Sequence, residues 1–278
     1  LKKYNYIGEI FRKDAVKNLT FLSKELLPGL KKSDYEVLEN MIKGNDYSLK
    51  SEDDMKTSLN ILSLNYFGKN EKERYGSPIV DPNTKRLSKT FSEYLKDEDY
   101  RSFVFDILNL AKYYNEKIQN SGNDLILYNQ YTRLDFLKLV NWRNDKKNMA
   151  NNIYGYRVLD GYIPLFITYH KSEDIDDSIK YEDHFLNQEE LAWVSRKNVS
   201  LKNKEINQII NHKEDGKTIY IFVKKNDSEG SQHYYLGEAE YMKGSANETT
   251  NVTEDKIVTM NFIMKTPIRD DIYRYLVN

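Results

Sequence analysis

Cysteine is absent from the 278 residues of this chain. Its absence excludes disulfides, a cysteine nucleophile and every zinc site that uses cysteine ligands. The four histidines are His170, His184, His212 and His233. They lie on different predicted elements, and no two of them have the spacing of paired ligands on a helix. The sequence therefore predicts no zinc site.

Two further features are missing. No glycine-rich phosphate loop and no Gly-Lys-Ser/Thr triplet occurs, so no nucleotide-hydrolysing site is predicted. No apolar run approaches the ~20 residues that a membrane-spanning helix needs. The chain begins at Leu1 and shows no targeting segment, so we expect a cytosolic fragment of a larger protein.

Charge of one sign is not in excess. The formal net charge is −1 and the pI is about 6.5, so the overall balance favours no particular partner. One local basic region exists between Arg196 and Lys225, where eight lysines and arginines stand against three acidic residues. A solvated helix face explains Lys202 and Lys204 equally well. The candidate phosphate-binding residues are Ser195, Arg196, Lys197 and Lys213.

The first 120 residues have apolar side chains at helical spacing and predict a series of helices. The pattern from Ser33 to Glu36 predicts a capping box, and Ser51 predicts another helix start. Residues 68–82 have the composition of a loop. The longest helix is predicted from Tyr100 to Ile118. One of its faces holds Phe103, Ile107, Leu110, Ala111 and Tyr114.

Residues 120–124 have the composition of a linker, and strands dominate after them. Helices are also predicted over 132–140, 203–211 and 270–276, with a helical turn over 189–193. Apolar runs and alternation predict strands over 162–169, 218–224, 233–242 and 257–265. The predicted fold class is α+β. A helical coupler over 1–122 precedes a curved sheet or β-barrel over 123–278 with peripheral helices.

An aromatic and acidic segment follows the first of these strands. Such a segment suits the binding of a flat polar ring, a nucleobase, on a negatively charged polymer. Aromatic rings can stack on the base, carboxylates can accept from its amines, and the nearby cations can hold phosphates. The plainer interpretation is that these aromatics belong to the core and that the acidic loop is solvated. The residues alone leave both open. The candidate base-binding residues are Tyr169, His170, Tyr181, Glu182, Asp183, Phe185 and Trp193.

A metal-dependent nuclease needs clustered carboxylates beside a lysine. Glu238, Glu240 and Lys243 give such a pattern on a predicted strand, and the aspartates at 174, 176 and 177 give another. Alternating glutamates on a hairpin usually form its solvent face, and carboxylate clusters arise easily when 31% of residues are charged. The sequence therefore predicts no catalytic residue and no metal ligand.

Two stretches resemble a known family. One begins FITYHKSEDIDDSIKYEDHFLNQEELAWVSRKNVS and runs to GEAEY, and the other is the ending MNFIMKTPIRDDIYRYL. They resemble the C-terminal domain of bacterial superfamily 2 helicase-like proteins, and among these the SauUSI-type type IV restriction enzymes. The resemblance is specific from about Tyr131 to Leu276 and weaker over the first 120 residues.

The resemblance implies an SRA/PUA-like domain that flips a modified base into a pocket of a curved sheet. It implies the DNA-binding target-recognition region of an ATP-dependent type IV restriction enzyme that reads 5-methyl- or 5-hydroxymethylcytosine. The expected partners are duplex DNA with that base, the parent chain's helicase and nuclease domains, and a second copy in a homodimer, without a membrane. The expected location is a bacterial cytoplasm. ATP and Mg²⁺ would bind to the helicase and nuclease domains of the parent chain. We therefore expect this fragment to bind no cofactor and to catalyse no reaction.

In this hypothesis the aromatics stack on the base and touch its 5-substituent. Glu182 or Asp183 accepts from the exocyclic amine, and Arg196 and Lys197 hold phosphates. A second hypothesis belongs to another class, in which the chain is a protein-interaction or allosteric coupler and reads no base directly.

Overall fold

The computed structural model describes residues 13–49, 51–119, 125–142, 153, 155–170, 183–251 and 254–278. They form two compact units. The helical unit takes the described residues up to 124 and within 134–151, and the sheet unit takes those within 125–133 and 152–278. The chain therefore returns to the helical unit once after entering the sheet unit. The single boundary predicted from the sequence, between residues 122 and 123, does not include this return of the chain to the helical unit.

The described part of the helical unit contains seven α-helices. They are α1 (Lys13–Glu25), α2 (Lys32–Lys43), α3 (Glu52–Leu62), α4 (Lys69–Tyr75), α5 (Lys89–Tyr94), α6 (Glu98–Gln119) and α7 (Arg133–Leu139). Helix α2 packs on α3 and α6, and α1 packs on α4 and α6. The longest helix, α6, is thus the common support of the unit.

Two helix starts test the sequence signals. Ser51 caps α3, because its side chain accepts from the amide of Asp54 at 3.2 Å, which confirms that prediction. The prediction of a capping box at Ser33 is wrong. Helix α2 begins one residue earlier at Lys32, and Ser33 is buried inside it. The loop predicted over 68–82 is also wrong in part, because α4 occupies Lys69–Tyr75.

Charged side chains lie inside the helical unit. Lys138 of α7 is 1% exposed and donates to Glu25 of α1 at 2.5 Å, and Tyr75 donates to the same carboxylate at 2.6 Å. Burial opposes ionisation of Glu25, but attraction to Lys138 outweighs it and lowers the Glu25 pKa. Asp34, buried nearby, accepts from Ser58 at 2.7 Å, and burial raises its pKa. A buried polar network therefore fastens α7 to the unit.

The sheet unit contains one eight-stranded sheet in its described residues. Its strands are β1 (Gln130–Tyr131), β2 (Tyr162–His170), β3 (His184–Phe185), β4 (Glu190–Val194), β5 (Thr218–Asn226), β6 (His233–Tyr241), β7 (Asn247–Thr250) and β8 (Lys256–Met264). Two α-helices accompany it, α8 (Lys204–Ile210) and α9 (Asp270–Val277).

The strand order is β2-β5-β6-β8-β4-β3, with β1 beside β6 and β7 beside β8. Strands β2 and β5 pair in parallel, with Leu165 opposite Ile221, and the other described pairs are antiparallel. Among the described strands the path starts at β2 and ends at β3, so the described sheet is open and not a closed barrel. The α+β class with a helical first half and a sheet with peripheral helices is confirmed.

One face of the sheet forms the core of its unit. Alternation puts Ile219, Ile221 and Val223 of β5 into this core, where Ile206 of α8 and Leu276 of α9 also lie. The two helices therefore bury their apolar stripes on the same cluster.

Strand pairing corrects one prediction and adds one short strand. Residues 189–193 are not a helical turn, because β4 pairs with β8 and sets Trp193 opposite Met260. The polar stretch after Gly244 contains the short strand β7, which pairs with β8 through Asn247 and Thr259. At β4 a partner distant in sequence overrides the local pattern.

Candidate nucleic-acid interface

Strand β2 carries the first predicted base-binding residues at its end. Parallel pairing with β5 sets His170 opposite Asn226, and the His170 side chain is exposed. The chain is described again from Asp183, so Tyr181, Glu182 and the aspartates at 174, 176 and 177 lie outside the described residues. The structure thus shows the two ends of the acidic segment.

Aromatic rings bring these two ends together. The rings of Tyr169 and Phe185 are nearly parallel, at 14°, with centroids 5.6 Å apart. His170 meets the edge of Tyr169 at 5.0 Å, and Tyr273 of α9 tilts against Phe185 at 6.0 Å. Tyr169 is partly buried, whereas Phe185 is buried. Phe185 therefore backs Tyr169, which keeps part of its ring accessible.

The Tyr169 hydroxyl helps to hold this arrangement. It accepts from the amide of Phe185 at 3.4 Å. Burial raises the pKa of Tyr169 in spite of that hydrogen bond, so the phenol stays neutral at physiological pH.

Asp183 lies where the segment returns to the sheet. Its side chain is buried, and Oδ1 accepts from the amide of Val194 on β4 at 2.9 Å. Asp183 therefore fixes the start of β3 beside β4.

Trp193 lies in the core and not at an accessible surface. It is 3% exposed, and Tyr156 and Phe262 meet its ring at 5.0 and 5.8 Å. Alternation along β4 turns Leu191 and Trp193 to the same buried face. The structure therefore corrects the stacking role predicted for Trp193, because a base could reach the ring only by displacing core side chains.

Ser195 serves the sheet. Its Oγ accepts from the amide of Val258 on β8 at 2.9 Å and donates to the carbonyl of Arg196 at 2.9 Å. The residue is 8% exposed. These contacts correct its assignment as a phosphate ligand, because the hydroxyl is buried and already bonded to the main chain on both sides.

The three predicted phosphate-binding cations all have carboxylate partners. Arg196 pairs with Glu205 of α8, and its guanidinium lies 4.2 Å from the ring centre of Tyr156. The other two pairs are Lys197–Asp255 at 2.9 Å and Lys213–Glu240 at 2.6 Å. A phosphate would therefore have to exchange with a carboxylate at each position.

The glutamates considered as metal ligands are partners in surface ion pairs. Glu238 pairs with Lys265 at 2.7 Å, and the hydrogen bond from Lys213 lowers the pKa of Glu240. Among the described residues, no group of three or more histidine or acidic side chains could hold a metal ion.

Two aromatic neighbours of the site were missed in the sequence. Tyr156 packs edge-on against Trp193 and makes a cation–π contact with Arg196. Tyr273 packs against the ring of Phe185. The amphipathic pattern of the closing helix was visible, but nothing in it indicates that Tyr273 packs beside β3. No sequence signal pointed to Tyr156, which lies in irregular chain before β2 and bridges to Leu165.

Comparison with known families identifies the sheet unit. Residues 125–276 match the family described as domain of unknown function DUF3427, so the chain belongs to that family. Residues 1–120 match a second model, domain of unknown function DUF8090. No curated protein matches. No described helix is long and apolar enough to cross a membrane.

Several solved structures are similar to part of the chain. The SRA domain of SUVH5 with hemi-methylated CG DNA has a TM-score of 0.35 and 10% identity, covering 52% of this chain and 92% of that one. The same domain bound to fully hydroxymethylated CG DNA has a TM-score of 0.34, 11% identity and the same coverage. The modification-dependent restriction endonuclease AspBHI has a TM-score of 0.32 and 11% identity, covering 54% and 78%. At these scores no residue correspondence follows.

Proposed function

We propose that the sheet unit recognises 5-methyl- or 5-hydroxymethylcytosine in duplex DNA by extruding the base. It would act as the target-recognition region of an ATP-dependent type IV restriction enzyme in a bacterial cytoplasm. The observation that carries the proposal is the Tyr169–Phe185 ring pair at the two ends of the acidic segment. The resemblance of residues 131–276 to the SauUSI-type enzymes supplies the ligand class.

The ring pair has the chemistry of a stacking platform. Phe185 fixes the plane of Tyr169 from behind, so the accessible part of Tyr169 is presented without a large loss of side-chain entropy. Stacking of a base on such a ring contributes about 1–3 kcal/mol. A buried 5-methyl group adds about 0.8 kcal/mol.

Two acidic residues that precede Phe185 in the sequence would supply the hydrogen-bond acceptors. The exocyclic amine of cytosine is a donor that a carboxylate reads well. Asp183 stands two residues before Phe185 on the returning chain, and Glu182 precedes it. Either carboxylate would discriminate cytosine from thymine, which has a carbonyl at that position.

Because Lys197 and Lys213 are each paired with a carboxylate, a DNA phosphate would have to replace that carboxylate. Lys197 and Lys213 are about 60% exposed, and such surface ion pairs contribute only about 0–1 kcal/mol. A DNA phosphate can therefore replace Asp255 or Glu240 at small cost. Arg196 is more buried and also rests on Tyr156, so its exchange would cost more.

The parent context completes the proposal. ATP and Mg²⁺ would act in helicase and nuclease domains of the parent chain, and this chain would supply recognition without catalysis. The family match over 125–276 is to a domain of unknown function, and the resemblance of residues 131–276 to the SauUSI-type enzymes is what suggests that context. The test ligands follow from the solved complexes, which hold methylated or hydroxymethylated CG DNA.

Substitution of Tyr169 tests the proposal. We expect Tyr169→Ala to weaken binding of a modified duplex about tenfold or more and to suppress base extrusion, measured by 2-aminopurine fluorescence in the duplex. Tyr169→Phe keeps the ring and should retain most of the affinity.

Tyr162→Ala is the matched control. Tyr162 lies on the same strand seven residues away and is also partly buried, with a tilted ring contact to Tyr220 at 6.0 Å. It should leave discrimination intact. A Tyr169→Ala protein that melts like the parent and still distinguishes the duplexes would overturn the platform.

One observation favours the coupler hypothesis as a second candidate. Helix α6 exposes several large apolar side chains, as a protein-interaction surface does. Equal affinity of the chain for modified and unmodified duplexes would favour this function over base reading.

A further inference from the structure

Strand β5 ends with two neighbouring lysines that have different surroundings. Lys224 is buried, and its amine donates to the carbonyl of Gly230 and pairs with Asp227, both at 2.9 Å. These contacts close the turn between β5 and β6. Lys225 is partly exposed, and in the part of the chain that the structure describes its amine pairs with no carboxylate. The turn therefore uses the charge of Lys224, whereas an anion from outside can reach the charge of Lys225.

The ring of Tyr275 holds the Lys225 side chain in place. The amine lies 5.2 Å from the centre of this ring, which is within the range of a cation–π contact. Glu229 joins the two residues, because one of its carboxylate oxygens accepts from the Tyr275 hydroxyl and the other accepts from the Lys225 amide at 2.7 Å. Tyr234 meets the same ring edge-on at 5.8 Å. Lys225 is therefore positioned before any ligand arrives, which lowers the entropy cost of binding one.

Strand pairing sets Lys225 beside Tyr169. The parallel register of β2 and β5 matches position 168 with 224 and position 170 with 226, so Tyr169 and Lys225 lie at the same level on neighbouring strands. Alternation continues the core face of β5 from Val223 to Lys225, and Tyr169 packs against the same core cluster. Neighbouring strands are about 4.8 Å apart. The cation therefore stands next to the ring that is proposed to stack on the base.

We propose that Lys225 binds the phosphate of the extruded nucleotide while the base of that nucleotide stacks on Tyr169. This inference rests on the proposed function and adds a cation that lies outside the predicted phosphate-binding set. A nucleotide carries its base and its phosphate on one sugar, so a ring and a cation side by side hold both. Lysine binds phosphate as a point charge. Among the described residues no carboxylate has to be displaced from Lys225, in contrast to Lys197 and Lys213.

This position gives Lys225 a different effect from that of Lys197 and Lys213. A duplex whose cytosine stays stacked does not bring the phosphate of that nucleotide to Tyr169. The contact with Lys225 forms only when the base is extruded, so it strengthens binding of the modified duplex alone. Lys225 therefore contributes to discrimination, whereas the other two lysines contribute to affinity for any duplex.

Salt titration of duplex binding by the whole chain tests the role of Lys225. Lys225→Ala should weaken binding of the modified duplex about three- to tenfold and leave the unmodified duplex unchanged. Loss of one phosphate contact lowers the salt slope of the modified duplex by about 0.9, so its affinity should fall about 3.5-fold less than the parent's between about 50 and 200 mM salt. Lys225→Arg keeps the charge and should keep the parent's slope.

Lys117→Ala is the matched control. Lys117 also lies over a tyrosine ring, that of Tyr113 at 4.4 Å, but in the helical unit. This variant loses the same charge and should bind both duplexes as the parent does.

Tyr275 is a positioning residue, and a double-mutant cycle tests its action through Lys225. Tyr275→Leu should weaken binding of the modified duplex about two- to fivefold with the parent's salt slope, because the charge of Lys225 remains. In the Lys225→Ala background the same change should have no further effect. An equal effect of Tyr275→Leu in both backgrounds would contradict this role.

Two outcomes separate this inference from the proposed function. If the parent discriminates between the duplexes, and Lys225→Ala weakens both equally or neither, Lys225 does not bind the phosphate of the extruded nucleotide and the proposed function stands. If the parent binds both duplexes equally, the proposed function fails and the role of Lys225 fails with it.

Discussion

The two units bury different kinds of titratable side chain. The helical unit encloses a charged pair, Glu25 and Lys138, with Asp34 nearby. In the sheet unit the most buried titratable side chain is His233, whose ring nitrogen Nδ1 lies 3.1 Å from the carbonyl of Ser231. Burial, assisted by Arg133 and Lys224, lowers the pKa of His233 to about 3. The helical unit therefore buries a paired charge, whereas the most buried titratable group among the described residues of the sheet unit is a neutral ring.

This difference has a physical consequence for each unit. A buried ion pair is costly to break but fixes which groups meet, because either partner alone is an uncompensated charge. In the helical unit it fixes α7, which the chain reaches only after crossing the sheet unit. In the sheet unit, the predicted phosphate-binding cations lie in partly or largely exposed pairs, where exchange with a ligand is cheap.

The largest expected effect comes from breaking the buried pair. Lys138→Met leaves Glu25 charged and buried, so we expect the helical unit to lose about 3–5 kcal/mol of unfolding free energy. The double change Lys138→Met with Glu25→Leu should recover most of it. Denaturant unfolding measures this, with Trp142 reporting the helical unit and Trp193 the sheet unit. A single variant as stable as the parent would refute the role of the pair.

The next largest effect should come from acid, which should destabilise the two units over different pH ranges. The His233 pKa is lowered on folding, so its contribution to stability is present above about pH 6.5 and is lost as pH falls toward 3. The sheet unit should lose up to about 1.4 kcal/mol per pH unit there. The lowered pKa of Glu25 affects the helical unit only below about pH 4.5.

Unfolding curves at several pH values, followed through Trp193, check this order. His233→Gln should flatten the slope between pH 6.5 and 4.5, whereas the exposed His170→Gln should not. If the His233→Gln protein keeps the parent's slope, the buried neutral imidazole is not its source.

The smallest effects on stability belong to the surface pairs. Lys197→Ala or Lys213→Ala should change stability by less than about 1 kcal/mol. Each should weaken binding of modified and unmodified duplexes about equally and reduce the salt slope by roughly one. Lys265→Ala is the control, since Lys265 is an exposed lysine with a glutamate partner outside the proposed contacts. A salt slope equal to the parent's would remove that lysine from the DNA interface.

Local patterns predicted those parts of the fold that depend on local order. Alternation marked β5 and β6, and helical spacing marked α6, because side-chain periods of two and 3.6 distinguish a strand from a helix. The spacing did not find the buried face of α6, since Phe103, Leu110 and Tyr114 are exposed. The Glu-Glu-Leu-Ala-Trp stretch has strong helix formers, yet pairing with β8 makes it a strand. The parallel partnership of β2 with β5 has no local sign either.

The candidate site shows the same limit. The sequence marked Tyr169 and Phe185 as aromatics of interest, but could not separate them from Trp193, since burial depends on the partners of β4. The carboxylate partners of Lys197 and Lys213 are 58 and 27 residues away in the chain, so no spacing rule finds them.

The preference of the chain for modified cytosine tests the central claim most directly. Competition binding at physiological ionic strength should compare duplexes that differ only in one methylated, hydroxymethylated or unmodified cytosine. We expect at least one modified duplex to bind about 5- to 50-fold more tightly than the unmodified one, as burial of one small substituent allows. Equal affinity for all three duplexes would contradict the assignment of the sheet unit as a reader of modified bases.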